Sequence, residues 1–316
     1  MRAAILTEPG QFIVDEKQVP EPGWGEILVR TSVCGVCTGD VDVYLGRIEG
    51  LEYPRFLGHE VSGTVVSVGG GVDSVSEGDR VVLYAEGKGY AEYIVVPAAW
   101  AVRLRDETPF HLALGEPIAC SVNGVRKTDP QLNDSVCIVG CGFMGLIMLQ
   151  VFRARGAGDI IVVDRRESAL QLASSLGATR VIDSGEVDAA ALVLEMTGGR
   201  GVDIGVEAAG RQQTLDLASR VVRMEGKLVV FGFHLGGTRT VDWAHWNWMA
   251  FQIVNGHSRS PSVYVDGMRD GIGLLESGRL DMRPLVTHRF GLNDINDGFR
   301  AAAEKNGEFV KAVIDF

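Results

Sequence analysis

A glycine-rich turn between an apolar strand and a helical stretch places the strongest constraint on the fold of this chain. The apolar run Val136–Val139 leads into Gly140-Cys141-Gly142-Phe143-Met144-Gly145, which has the pattern G-x-G-x-x-G. The first glycine permits a tight bend, the second lets the backbone approach a pyrophosphate, and the third lets the helix pack closely on the strand. Amides at the start of the helix then face the phosphates. The pattern predicts a dinucleotide-binding turn, although such turns also serve packing alone.

A carboxylate follows this turn at the spacing that a dinucleotide site requires. Ile160–Asp164 is apolar and is interpreted as the next parallel strand, and Asp164 ends it about twenty residues after the glycines. A carboxylate there accepts a bond from the ribose 2′-hydroxyl and repels a 2′-phosphate, which favours NAD. Arg165 and Arg166 come next, and adjacent arginines can bind a phosphate, so NADP remains the alternative.

The pattern of the sequence changes near residue 120. The preceding residues are rich in short β-type runs cut by glycine and proline, which is typical of an antiparallel, barrel-like domain. The following residues alternate apolar strands with helical patterns, as in a parallel doubly wound sheet. The last sixty or so residues are mixed, with a strand expected at 285–290, a helix at 292–305 and a strand at 310–314. The chain is therefore predicted to be an α/β protein.

Composition excludes several classes of partner. With 316 residues the chain is long enough for two cores, and a net charge of −11 disfavours nucleic acid. The longest apolar run is too short and too broken by glycine to cross a bilayer, and the amino terminus lacks a signal-peptide pattern. Five cysteines form an odd set that suits reduced thiols. We expect a cytoplasmic protein that binds neither nucleic acid nor membranes.

A second group of motifs lies before the glycine-rich turn. It consists of Cys34-Gly35-Val36-Cys37-Thr38-Gly39-Asp40, Leu57-Gly58-His59-Glu60 and Leu114-Gly115-Glu116-Pro117. Thiolate, imidazole and carboxylate together suit a tetrahedral zinc with one open position. On the residues alone, Cys37 as a buried apolar side chain and His59 as a core histidine are equally reasonable interpretations.

The order of these motifs resembles the zinc-dependent medium-chain alcohol and polyol dehydrogenases, including sorbitol and threonine dehydrogenases. The resemblance covers essentially the whole chain, from the strand at its start to Val310-Lys311-Ala312-Val313-Ile314 at its end. It implies a β-rich GroES-like catalytic domain over residues 1–120, completed by 258–316. It also implies a Rossmann dinucleotide-binding domain over 121–257.

The resemblance assigns a role to each motif. Cys37, His59 and Glu116 would be the ligands of one catalytic zinc, with Glu60 as an alternative or transient ligand. Glu116-Pro117 is the polyol-type signature, because alcohol-type relatives carry cysteine there. Cys120 is a rival ligand that we expect to be a core residue. The metal would act as a Lewis acid on the substrate hydroxyl, and NAD would accept the hydride.

Further residues would hold the cofactor. The resemblance implies that the backbone of Phe231-Gly232-Phe233 binds the nicotinamide carboxamide and that Lys311 supplies a positive charge to the pyrophosphate. The turn formed by Gly140, Gly142, Phe143, Met144 and Gly145 would also bind the cofactor. An ordinary strand end is the alternative for Phe231 and Phe233. The segment Asp242-Trp243-Ala244-His245-Trp246-Asn247-Trp248 is expected either to contact a sugar or to form an interface or core anchor.

The chain departs from this family at two places. Relatives carry a hydroxyl residue two positions after the zinc cysteine, where this chain has Gly39. Thr38, Asp42, Tyr44 or water would have to carry the proton instead. The second departure lies between Leu83 and Ala91, where only seven residues replace the lobe that binds a structural zinc, so we expect none.

These observations predict an NAD-dependent zinc dehydrogenase acting on a secondary alcohol of a polyol, sugar or cyclitol, as a homodimer or homotetramer. Because of Gly39, an NAD(P)H-dependent reductase of conjugated alkenes or carbonyls on the same scaffold is the first alternative. A non-catalytic nucleotide sensor is the second, since it would need no metal.

Overall fold

The computed structural model describes residues 1–316, which form two compact units. The first unit contains Met1–Ala119, Arg259–Gly278 and Met282–Phe316, and the second contains Cys120–Ser258 with Arg279–Asp281. The chain therefore leaves the first unit after residue 119 and returns to it after residue 258. None of the helices combines the length and the apolar character that crossing a membrane requires.

The amino-terminal part is dominated by short antiparallel strands, as its glycine-punctuated sequence predicts. The strands are β1 (Arg2–Glu8), β2 (Gln11–Glu16), β3 (Glu26–Gly35), β4 (Glu60–Val68), β5 (Arg80–Leu83), β6 (Tyr93–Pro97) and β7 (Ala101–Arg103). Helix α1 (Thr38–Tyr44) belongs to this part, whereas α2 (Gly115–Thr128) begins in it and continues into the second unit, which starts at Cys120. Since β3 pairs with both β4 and β6, it is the central strand of the unit.

The middle part alternates strands with helices. Its strands are β8 (Val136–Val139), β9 (Ile160–Asp164), β10 (Arg180–Asp183), β11 (Val202–Glu207), β12 (Val222–Val230) and β13 (Gln252–Asn255). Its helices are α3 (Phe143–Ala154), α4 (Glu167–Ser175), α5 (Ala189–Met196), α6 (Gln212–Val221) and α7 (Trp243–Met249). The six strands are parallel in the order β10-β9-β8-β11-β12-β13. This order confirms the predicted Rossmann arrangement.

The carboxyl-terminal part completes the first unit. It contains α8 (Pro261–Glu276), β14 (His288–Gly291), α9 (Ile295–Glu304) and β15 (Ala312–Asp315). Strand β15 pairs with β3, so the end of the chain joins the central strand of the amino-terminal sheet. The strand expected at 285–290 is displaced, because Leu285 closes a turn on Met282 and β14 begins only at His288.

Each unit has its own apolar core. The core of the first unit gathers residues from both ends of the chain, including Phe12, Tyr44, Tyr90 and Phe299, whose rings contact one another. The core of the second unit lies along the strands of the parallel sheet and includes Trp246 of α7. Of the three tryptophans in that segment, Trp246 is thus the core anchor, whereas Trp243 and Trp248 are exposed.

Candidate active site

Three potential metal ligands come together at one end of β3 and β4. Cys37 precedes α1, His59 lies just before β4, and Glu60 is the first residue of β4. Their ligand atoms all lie within 4.8 Å of one another. The antiparallel register pairs Gly35 with Glu60, and this pairing brings the end of β3 to the start of β4. A thiol, an imidazole and a carboxylate at this separation fit a zinc ion.

The close approach of β3 and β4 requires glycine at position 35. A Cβ atom there would lie 2.0 Å from Oε2 of Glu60, so no larger residue fits without moving the carboxylate. The Glu60 side chain therefore runs directly beside the β3 backbone. This arrangement explains the glycine of the C-G-V-C motif on steric grounds.

Glu60 is paired with a lysine from the other end of the chain. Nζ of Lys311 lies 2.7 Å from Oε1 and 2.7 Å from Oε2 of Glu60, and both side chains are almost fully buried. Burial lowers the pKa of Lys311, but Glu60 and the neighbouring anionic groups Cys37 and Glu116 outweigh it and raise the pKa above its usual value. The cation that the sequence assigned to a pyrophosphate thus lies in the candidate metal cluster.

Asp40 orients His59 from the buried side. Its Oδ2 atom accepts bonds from the Gly58 amide and the Tyr90 hydroxyl, each at 3.2 Å, and lies 3.6 Å from Nδ1 of His59. A carboxylate beside Nδ1 leaves Nε2 as the ligand atom. Burial lowers the pKa of His59, but Asp40 and Cys37 outweigh it, and the pKa of the metal-free imidazole stands well above its usual value.

The remaining residues of the predicted metal site are arranged around these three. Glu116 lies in the first turn of α2 and helps to raise the pKa of His59, but its carboxylate is outside the 4.8 Å group. Thr38 is the first residue of α1. Asp42 is ion-paired with Arg47 at 2.9 Å, and Tyr44 is buried against Phe12. Cys120, the rival ligand, belongs to the second unit.

The space around Gly39 is open. A Cβ atom built on this residue would meet only Sγ of Cys37, at 3.7 Å, which is an ordinary contact. Gly39 is also absent from the residues with positive φ, so the backbone does not require glycine there. The chain therefore has room for a side chain beside a metal ligand but carries none.

The glycine-rich turn of the second unit has the predicted geometry. Gly140 has φ +100°, and a Cβ atom on Gly145 would lie 2.1 Å from the carbonyl oxygen of Gly140. Helix α3 begins at Phe143, after Gly142, with Met144 in its first turn. The first amides of α3 have no partner within the helix, as anion binding requires.

Asp164 is bonded both to this turn and to a neighbouring arginine. Its Oδ2 atom accepts bonds from the Cys141 amide at 2.8 Å and from Nη2 of Arg166 at 3.2 Å. Its Oδ1 atom accepts bonds from the Arg165 and Arg166 amides and from Nε of Arg166. Burial raises the pKa of Asp164, but Arg166 outweighs it and lowers the pKa below its usual value. The carboxylate is thus ionised and already has several partners.

The Phe231–Phe233 segment follows the end of β12. The amides of Phe231 and Gly232 both donate to the backbone oxygen of Glu207, at 2.9 and 2.8 Å. The Phe231 ring is buried and stacks on His257, whereas Phe233 is exposed. The segment is therefore a fixed backbone with one exposed aromatic ring.

Sequence reasoning missed several residues that shape these sites. Asp40 belongs to the motif read around Cys37, but no role was predicted for it. Tyr90 lies in the short segment between Leu83 and Ala91, whose sequence indicates only that a lobe is missing. Glu207 ends a strand and has no feature in the sequence that marks it as functional. The hydrogen-bond partners of Asp40 lie 18 and 50 residues away along the chain, so only a motif for carboxylate–histidine pairs could have indicated it.

Comparison with known proteins covers both units. Residues 23–106 match the family model for the alcohol dehydrogenase GroES-like domain, and residues 144–258 match that for zinc-binding dehydrogenases. The first match confirms the GroES-like fold that was expected for the β-rich unit.

Individual relatives span the whole chain. The L-threonine 3-dehydrogenase of Pyrococcus furiosus is 30% identical over 346 aligned positions, which cover 98% of each protein. The sorbitol dehydrogenase of Bacillus subtilis is 28% identical over 351 positions, covering 99% of this chain and 97% of that protein. The crystal structure of 2R,3R-butanediol dehydrogenase from Bacillus subtilis superimposes with a TM-score of 0.88 at 26% identity and covers 100% of this chain and 99% of that one.

Proposed function

Because this chain belongs to the zinc-type medium-chain alcohol and polyol dehydrogenases, we propose that it transfers a hydride between NAD(H) and a secondary alcohol or ketone of a polyol, sugar or cyclitol. The observation that carries the proposal is the group of Cys37, His59 and Glu60, whose ligand atoms lie within 4.8 Å of one another. The substrate class is supported by Glu116-Pro117 and by relatives named for sorbitol and butanediol.

The donor set suits one zinc ion. Cys37 and His59 would hold it, together with Glu116 or Glu60, because these groups offer one sulfur, one nitrogen and one oxygen ligand. When bound, zinc supplies Lewis-acid polarisation of the substrate oxygen, and NAD supplies the hydride acceptor.

The surrounding residues decide which carboxylate is available. Lys311 neutralises Glu60 and donates a hydrogen bond to its Oε1, which favours Glu116 as the resting ligand. Oε2 of Glu60 is buried without a hydrogen-bond partner, and it is the oxygen that could bind the metal as the alternative ligand. Asp40 lies 3.6 Å from Nδ1 of His59, which supports Nε2 as the nitrogen that would bind the metal. The chain thereby presents an oriented imidazole and a single thiol to the metal.

The proton of the substrate hydroxyl needs a path past Gly39. No side chain at that position can carry it, and Asp42 is engaged by Arg47. We assign the transfer to water in the open space beside Cys37, with the Thr38 hydroxyl as the nearest candidate group along the chain.

The same glycine favours a second candidate function. A reductase of conjugated alkenes or carbonyls needs no hydroxyl relay at this position. The substrates tested for turnover should therefore include enones as well as polyols, sugars and cyclitols. A non-catalytic nucleotide sensor would retain the Gly140 turn without using Cys37 or His59, and zinc content separates it from either enzyme.

Cofactor, assembly and location complete the proposal. Asp164 at the end of β9 supports NAD, and the Phe231–Phe233 backbone supports the binding of its carboxamide. Strand β13 is an edge of the parallel sheet, with Trp248 and Ile253 exposed nearby, which supports a homodimer or homotetramer. All five cysteines are free thiols, which supports a cytoplasmic location.

The decisive experiment combines metal analysis with turnover. The purified chain should contain one zinc, and Cys37→Ser should lose both the metal and the NADH absorbance signal with its best substrate. Cys120→Ser is the matched control and should keep both. Unchanged turnover in Cys37→Ser would refute metal-dependent catalysis, and two zincs per chain would refute the expected loss of the structural site.

A further inference from the structure

A buried carboxylate, a histidine and an arginine form a cluster at the end of β11, apart from the metal ligands. Glu207 is fully buried, and its Oε2 atom lies 2.8 Å from Nε2 of His234. Nδ1 of His234 in turn lies 3.1 Å from Nε of Arg239. All three belong to the second unit.

The bonding pattern fixes the protonation of this cluster. Arginine can only donate, so Nδ1 of His234 must accept the bond from Arg239, and Nε2 must carry the hydrogen that is donated to Glu207. A second hydrogen on His234 would face the guanidinium. The cluster therefore consists of a carboxylate and a guanidinium that are joined through a neutral imidazole.

Glu207 organises the turn that follows its own strand. Its Oε1 atom accepts bonds from the Ala209 and Gly210 amides at 2.8 and 2.7 Å and from the Thr214 hydroxyl at 2.7 Å. With His234 on the other oxygen, the buried charge has four donors. Such a charge-assisted network is rigid because each lost bond would leave a buried group unpaired.

The Phe231–Phe233 segment lies directly on this turn. A Cβ atom on Gly232 would lie 2.2 Å from the Gly210 nitrogen and 2.5 Å from Oε2 of Glu207, and one on Gly210 would lie 2.5 Å from the Phe233 oxygen. The backbone of Glu207 also accepts the amides of Phe231 and Gly232. The position of this segment is thus set by Glu207.

Arg239 fixes the chain that leaves the segment. Its guanidinium donates to the carbonyl oxygens of Gly210, Leu235, Gly236 and Thr238, at 3.1 to 3.4 Å. Residues 234–240 contain no helix or strand, and both Gly236 and Gly237 have positive φ. Without the guanidinium, few other bonds would order this stretch.

We propose that Glu207, His234 and Arg239 are positioning residues that hold the Phe231–Phe233 backbone in place for the nicotinamide end of the cofactor. The inference rests on the proposed function, in which this backbone binds the carboxamide. Pre-ordering of a binding segment improves affinity because less freedom is lost on binding.

The test compares a complete cofactor with one that lacks nicotinamide. Arg239→Ala and His234→Ala should raise the Kd of NADH, measured by its fluorescence, about tenfold, and leave the Kd of ADP-ribose, measured by calorimetry, unchanged. His234→Gln keeps a donor for Glu207 and should restore part of the NADH affinity. Arg220→Ala removes an exposed guanidinium from the same unit and should change neither constant.

Any of the following outcomes would overturn the inference. The first is an unchanged Kd of NADH in both alanine variants. The second is an equal rise in the Kd of NADH and of ADP-ribose, which would indicate general damage to the unit. A wild-type chain that binds neither compound would overturn the proposed function together with this inference. Binding of both by the wild type, with no effect of Arg239→Ala, would refute the inference alone.

Discussion

The ammonium group of Lys311 lies 2.7 Å from each carboxylate oxygen of Glu60, although the two residues are 251 positions apart. The pair joins the last segment of the chain to the start of β4, within the group of potential metal ligands. It gives Glu60 a partner when no metal is bound to it. This relationship leads to the first prediction.

Lys311→Met should strongly destabilise the zinc-free protein, because it leaves Glu60 as a buried charge without its partner. We expect the free energy of unfolding in urea to fall by about 3–5 kcal/mol. Lys17→Met, which breaks the exposed pair with Asp15, should cost less than about 1 kcal/mol. The double variant Glu60→Gln/Lys311→Met should recover most of the loss, and equal losses in the two single variants would contradict the prediction.

Asp40→Asn should weaken zinc binding, because the amide orients the His59 ring less strongly than a carboxylate does. We expect the zinc Kd, measured by competition with a chelator, to rise about 10–100-fold. Asp42→Asn is a control two residues away whose carboxylate is paired with Arg47. It should keep the wild-type Kd, and a comparable loss in this variant would show that the effect is not specific to His59.

Gly39→Ser should supply the missing hydroxyl within the open space beside Cys37. If water carries the proton in the wild type, kcat should rise with the concentration of a small base such as imidazole, whereas the variant should gain up to about tenfold in kcat and lose this dependence. Gly39→Ala fills the same space without a hydroxyl and should keep the buffer dependence. Identical buffer profiles for all three proteins would rule out this path.

Arg166→Ala should sharpen the preference for NAD. The guanidinium now occupies both oxygens of Asp164, and it would attract a 2′-phosphate. Its removal frees the carboxylate for the ribose hydroxyl, so the ratio of kcat/KM for NAD to that for NADP should increase about tenfold or more. Arg165→Ala removes a neighbouring positive charge but no side-chain bond to Asp164, so it separates loss of charge from release of the carboxylate and should change the ratio less. An unchanged ratio in Arg166→Ala would show that the pair does not set cofactor choice.

Asp203 should make the second unit sensitive to acid. Burial raises its pKa, but bonds from Arg200, Ser135 and Arg223 outweigh it and hold the pKa well below its usual range. A carboxylate with a lowered pKa stabilises the fold at neutral pH and loses that contribution as the pH falls below about 4.

Asp203→Asn should therefore lower the free energy of unfolding by about 2–3 kcal/mol at pH 7, and this difference should begin to shrink as the pH falls below about 4 and continue to shrink toward the lowered pKa of Asp203. Urea titrations at several pH values measure the difference. Asp266→Asn, at an exposed pair with Arg269, should show no such pH-dependent loss. A constant difference between wild type and Asp203→Asn across this range would contradict the linkage.

Elements defined by contiguous residues were predicted well. The strand Val136–Val139, the glycine turn and the strand Ile160–Asp164 appear at the predicted positions, because apolar runs, glycines and an acidic strand end are local signals. The strand expected at 285–290 was displaced, since the turn between Met282 and Leu285 depends on a bond that its composition does not indicate.

The candidate site was predicted in its residue types but not in its contacts. Cys37, His59 and Glu60 do come together, because β3 and β4 pair in a register that places Gly35 beside Glu60. Glu116 stands outside the closest group, and Asp42 is paired with Arg47. These outcomes depend on the side-chain directions of α1 and α2, which no motif specifies.

The sequence by itself determined the two chemical parts of this protein, a dinucleotide turn and a set of zinc donor types, because the glycine spacing and the short motifs around each donor are local signals. Only the tertiary structure decided how these groups are charged and held. Lys311 neutralises Glu60, Arg166 occupies Asp164, and Arg239 is linked to Glu207 through His234. Ion pairs form between whichever charged groups folding brings within a few ångströms. The Lys311–Glu60 and His234–Glu207 pairs join segments that strand pairing brings together, and the two more local contacts depend on side-chain directions that no motif specifies.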